Sequence, residues 1–205
     1  MTLLSHAAVP ADDGAADALR AEARAWLARR PAVEQDWFRR YSRLHGVTHT
    51  QRVHVHAQRL LEHLAWSEAD REVVLRAALW HDVGRCGDGV EPGHGASSVE
   101  RIDERDRLAD LVAEEAAVVR FAILGHSLRD SGAPGLAAEL AVSGDPARRL
   151  AEPERALRVL WLLKDADALD RVRLGFGECA DPRQLRHEAT VKLIPFAAAL
   201  YAELG

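Results

Sequence analysis

The chain has 205 residues, a formal net charge of −5, 48% hydrophobic residues and only 5% aromatic ones. That length suits one domain with a real core, and the acidic balance argues against a general nucleic-acid-binding surface while allowing a small anionic substrate beside a bound metal. Two cysteines, Cys86 and Cys179, are too few for a disulfide framework, no apolar run reaches the roughly 20 residues of a membrane span, and the start MTLLSHAAVPADDG lacks the parts of a secretion signal.

Ala and Leu dominate, and Arg and Glu are frequent, all residues that lose little side-chain freedom in a helix. Stretches of Val, Ile, Thr and Tyr are scarce, so the expected class is all-α. In chain order, a loose leader extends to about Gly14. A first helix runs from Ala15 to Arg30 and stops at Pro31. A second, capped by Thr48, carries Val53, Ala57, Leu60, Leu61 and Leu64 at helical spacing. A third starts near Ser67, bears Val73, Val74, Ala77 and Ala78, and ends around Gly84. The glycine-rich segment from Arg85 to Gly95 reads as a loop. Helices follow over Ala96–Glu104 and Arg107–His126. The stretch Ser131–Pro153 reads as a surface excursion with one short helix. Two more helices run from Glu154 to Leu174 and from His187 to Leu204. The sum is a helical bundle of about six to seven helices. Residues 1–43 form the leader and a helix packing on the core, and 44–205 form the main domain with its C-terminal helix.

Ionisable residues fall where these helices should be apolar. His49 shares a stripe with Val53 and Leu60. His81 and Asp82 continue the stripe of Val74, Ala77 and Ala78. His126 follows Val119, Ala122 and Ile123, and Asp167 and Asp170 share an arc with Leu160, Leu163 and Ala166. Asp165 falls on the opposite, polar side, because two residues turn a helix by about 200°. A buried carboxylate is costly unless it is paired or bound to a metal. A shared divalent cation (Mn, Fe, Co, Ni or Mg) accounts for the whole set, since two imidazoles and two carboxylates offer mixed nitrogen and oxygen donors.

The surrounding words resemble those of the HD-domain superfamily. HTQRV at 49–53, AALWHDVGR at 77–85 and KDADALDRV at 164–172 are similar to its H…HD…D signature, while HGASS at 94–98 and ILGHS at 123–127 resemble the intermediate histidines of its small bacterial phosphohydrolases. One departure is Arg85, where the family often has lysine. The resemblance implies a helical HD fold and hydrolysis of phosphate esters or anhydrides, often of nucleotides. It places the metal on His49, His81, Asp82 and Asp167. Asp82 would also orient or deprotonate the nucleophile. His94 and His126 would either contact phosphate or hold a second metal. Arg85 joins them as a catalytic candidate, and Arg52, Lys164, Asp170, Arg171 and Arg173 are the candidate substrate contacts, with Arg186 nearby.

The alternative is an HD-type di-iron oxygenase, such as myo-inositol oxygenase, in which the same order His49, His81-Asp82, His94, His126, Asp167 would supply every ligand. His45, His54, His56 and His63 read as solvated or locally bonded, with His45 the exception to expect. The tryptophans read as packing residues. The expected setting is the cytoplasm, the expected partner is a small phosphorylated molecule rather than nucleic acid or membrane, and the oligomeric state leaves no mark in the sequence.

Overall fold

A computed structural model describes residues 13–174 and 181–204. Most of the expected leader, and Cys179, lie outside the described residues. Among the described residues the chain is all-helical, with nine α-helices: α1 (Asp13–Leu27), α2 (Val47–His63), α3 (Glu68–Trp80), α4 (His94–Glu104), α5 (Ala113–His126), α6 (Ala133–Ala141), α7 (Pro153–Leu169), α8 (Glu188–Lys192) and α9 (Ile194–Leu204). No described helix is long and apolar enough to cross a membrane.

The larger helix count has local causes. The single helix expected over Arg107–His126 begins only at Ala113, because Asp106 adopts a left-handed conformation (φ 52°) and ends α4. Aspartate is among the residues that tolerate that region. The amide of Arg107 then returns to the carbonyl of Ile102 at 3.0 Å. The final helix is broken at Leu193, where Pro195 cannot donate the bond that would continue α8 into α9. The N-cap of α2 is Gly46 rather than Thr48, whereas Ser67 caps α3 by accepting the Asp70 amide at 3.1 Å.

Helices α2, α3, α5 and α7 pack on one another around Val53, Leu60, Val74, Ala77, Ile123, Leu160 and Leu163, all fully or almost fully buried. Helix α4 lies on α5 and α6 on α7. Helix α1 packs on α9, and its Ala23, Trp26 and Leu27 join the same buried cluster. Burying the Val, Leu and Ile side chains is worth about 1.5–3 kcal/mol each, which holds the four central helices together while polar groups gather at one end.

Candidate metal centre

Each helix delivers its ionisable residue near a terminus. His49 lies in the first turn of α2, His81 and Asp82 follow the last turn of α3, and Asp167 and Asp170 sit at the end of α7. His126 is the last residue of α5 and His94 the first of α4. The expected loop up to Gly95 is therefore corrected: Gly93, in the left-handed region (φ 82°), starts the helix one residue before His94. A side chain at Gly84 would strike the backbone of Ser97 and Ser98, and one at Gly95 the carbonyls of Ile123 and Leu124. These two close approaches seat α4 against the His81-Asp82 turn and against α5. Gly95→Ala is accordingly expected to cost about 1–3 kcal/mol through overpacking and to move His94 away from His126. Thermal melts and metal content per chain check it, and a variant that matched the parent in both would refute this account of the helix contact.

The donor atoms form two adjoining groups. In the first, His49 Nε2 is 3.1 Å from His81 Nε2, 3.5 Å from Asp82 Oδ2 and 3.4 Å from Asp167 Oδ1. His81 Nε2 is 3.8 Å from Asp82 Oδ2 and 3.9 Å from Asp167 Oδ1. In the second, His94 Nε2 and His126 Nε2 are 2.9 Å apart, and each is 3.3 Å from the other Asp82 oxygen, Oδ1. Ligands held at about 2.0–2.2 Å from one ion lie about this far from each other.

The outer ring nitrogens set the tautomers. Nδ1 of His81 faces the carbonyl of Ala78 at 2.9 Å, that of His94 the carbonyl of Glu91 at 2.7 Å, and that of His126 the carbonyl of Ile123 at 2.5 Å. His49 Nδ1 faces Asp170 Oδ2 at 2.7 Å. Each Nδ1 must donate, so each neutral ring turns a bare Nε2 inward, as metal-ligating histidines do. Two opposed pairs of lone pairs at hydrogen-bonding distance repel unless a cation lies between them. Burial drives the His81 imidazole down to about 4 and also lowers His94, so both favour the uncharged, ligating form. Burial works against a charge on His49 as well, but Asp170 and Asp82 outweigh it and raise that ring. The buried Asp82 stays ionised well below the usual carboxylate range, because the surrounding histidines overcome its desolvation. A field that invites positive charge here suits a divalent ion better than a proton, and the mixed imidazole and carboxylate donors fit a first-row or magnesium-like cation.

Behind this layer, several expected substrate contacts are engaged elsewhere. Arg52 is 2% exposed and donates to Asp170 at 2.6 and 3.1 Å and to the carbonyl of Leu204. Its guanidinium is spent inside the fold, which corrects its placement as a substrate contact. Asp170, fully buried, orients His49 and Arg52 rather than facing a ligand. Arg173 donates to the carbonyls of Leu44 and Asp170 and approaches His45, and Arg85 donates to the carbonyls of Gly87 and Gly89, holding the loop before α4. Lys164 donates to the Leu128 carbonyl and to Asp130, and Arg171 to Gln184.

Other residues depart from the sequence reading. Asp165 does lie opposite Asp167, but that side is not solvated: it is fully buried and accepts bonds from Arg186, His187 and Thr190. The fold covers this face with the segment before α8, which helical periodicity cannot reveal. His45, the exception expected among its neighbouring histidines, meets Asp82 Oδ2 at 2.9 Å. His56 is neither solvated nor bonded among the described residues; it is fully buried beside Phe196, and burial pushes it down to about 4.

Two depressions reach the centre. A cleft of about 580 Å³ is lined by His45, Arg85, Val90, His94, Arg129 and Arg173, among others. A smaller one of about 180 Å³ is lined by His126, Asp167, Lys164, Arg171, Gln184 and Arg186 with Ala168. The model of one protein family, the HD domain, matches residues 46–172. No curated protein and no solved structure matches the chain.

Proposed function

The chain belongs to the HD domain family, and on that premise we propose that it is a metal-dependent phosphohydrolase acting, in the cytoplasm, on a small phosphorylated molecule. A nucleotide is the expected substrate class, and the bond cleaved is a phosphomonoester or a pyrophosphate. The observation that carries the reading is the pair of opposed imidazole sets, His49 with His81 and His94 with His126, with one Asp82 oxygen turned to each. His49, His81, Asp82 and Asp167 would hold one divalent ion, and His94, His126 and Asp82 a second.

Bound divalent ions supply Lewis-acid stabilisation of phosphoryl charge and a water acidified toward neutral pH. The chain's own residues do the positioning. Asp82 spans both donor groups and would orient the attacking water or take its proton. Asp170 and the carbonyls of Ala78, Glu91 and Ile123 hold the four rings in their ligating tautomer. Arg85, Arg173 and Arg129 on the wider cleft, and Lys164, Arg171 and Arg186 on the smaller one, bias both toward an anion.

The test is a screen of nucleoside mono-, di- and triphosphates with Mn, Co, Fe, Ni and Mg, run beside a His81→Ala, Asp82→Ala double variant. Phosphate or pyrophosphate release that needs the metal and vanishes in the variant is the expected result. Release unchanged in the variant would refute the assignment. Two irons per chain with oxygen consumption and no phosphate release would instead identify an oxygenase.

A further inference from the structure

The cations around the smaller depression are held unequally. Lys164 Nζ lies 2.7 Å from Asp130 Oδ1, and Arg186 Nη2 is 2.8 Å from each Asp130 oxygen. Both cations also sit over the ring of Trp161, at 5.5 and 5.6 Å from its centre. A second carboxylate, Asp165, takes Arg186 Nη1 at 3.0 Å from below. The two carboxylates differ in what anchors them. Asp165 is fully buried and accepts bonds from two backbone amides, Thr190, His187 and Arg186. Asp130 has a side chain 51% exposed and stands on a short surface turn, Asp130–Gly132. One is a permanent part of the fold, whereas the other is held through the two cations and opens to solvent.

The same depression is bounded by His126 and Asp167, which belong to the two donor groups of the metal centre. A phosphoryl group at the centre would therefore lie next to the paired cations. On the other side, the wider cleft carries Leu44, Val90, Pro92 and Leu174 on its lining beside Arg85, Arg129 and Arg173, with Val90 99% exposed. It has room and apolar surface for the organic part of a substrate.

We infer that Lys164, Arg171 and Arg186 form an anion subsite beside the metal centre, that Asp130 fills it in the absence of ligand, and that the substrate brings a second phosphate-like group which displaces that carboxylate. The inference rests on the phosphohydrolase reading and narrows it to substrates with two linked phosphoryl groups, in which the scissile one meets the metals and its neighbour meets the cations. Asp130 then acts as an internal competitor, which the second group of a substrate already anchored at the metals displaces.

Calorimetric titration of the manganese-loaded full chain tests this without turnover. The probes are methylenediphosphonate, whose P–C–P link resists hydrolysis, and methylphosphonate. The diphosphonate is expected to bind at least about tenfold more tightly. Asp130→Asn should tighten the diphosphonate by roughly fivefold to tenfold, by removing the competing charge, and leave methylphosphonate unchanged. Lys164→Gln should abolish most of the preference, with a melting curve to confirm folding. Equal binding of the two probes, or an Asp130→Asn variant with unchanged or weaker diphosphonate binding, would overturn the subsite while leaving the hydrolase reading intact. Failure of the loaded protein to bind either probe would overturn both.

Discussion

On the two-ion reading, Asp82→Ala is expected to empty the second donor group and weaken the first, whereas His94→Ala affects the second alone. The reason is the division of labour between the two Asp82 oxygens: Oδ2 faces His49 and His81, and Oδ1 faces His94 and His126. Without that carboxylate the second group keeps two neutral imidazoles and no negative charge, a weak site for any divalent ion. The first keeps one carboxylate, Asp167, which is partly exposed. Hydrolysis should fall by about 10³-fold or more, because charge stabilisation at the phosphoryl group and the placement of water are lost together. Elemental analysis after loading and desalting, paired with phosphate release, gives the answer directly. An Asp82→Ala protein that retained both ions would show that the carboxylate does not link the two groups.

The second large effect lies one layer out. Asp170→Ala leaves the Arg52 guanidinium and the His49 Nδ1 donor buried without their shared acceptor. Breaking a buried ion pair on one side costs about 3–5 kcal/mol, so the metal-free variant should lose much of its margin of stability. The pH dependence has a defined sign. Burial opposes ionisation of Asp170, but bonds from His49 and Arg52 outweigh it and hold the group well below the ordinary carboxylate range. A depressed folded value means that the stabilisation is present above the unfolded value, about 3.9, and is lost as the pH falls from there toward the folded one. Urea unfolding of metal-free parent and variant should therefore differ strongly at neutral pH and converge in acid. A double change, Arg52→Met with Asp170→Leu, should restore most of the stability, since replacing a buried pair with apolar groups is often neutral. Metal affinity should stay down by about 10- to 100-fold, because His49 has lost its orienting acceptor. If affinity returned together with stability, the role of Asp170 toward His49 would be packing alone.

The readable and unreadable parts of this molecule divide by the range of the interactions involved. Helical class follows from Ala- and Leu-rich periodicity, and Ser67 at the start of α3 is a local hydrogen bond. The inward placement of His49, His126 and Asp167 is also local in origin, because each shares a helix face with its apolar neighbours, and His81 and Asp82 follow directly on the apolar end of α3. Those properties depend on residues three or four positions apart, and the amino-acid order carries them in full.

What surrounds each helix is another matter. Whether Asp165 faced water or a second layer depended on the segment before α8 folding over α7, some twenty residues further on. Arg52 looked available to a substrate because its helix face was known but its partner was not; Asp170, 118 residues away, takes it. The meeting of His94 with His126 depended on Gly95 letting two helices touch at their backbones. The helices, and the side chains each one turns inward, are written in local spacing. Which of those side chains pair with one another, and which converge on a common point, is set by distances across the core that no local spacing encodes.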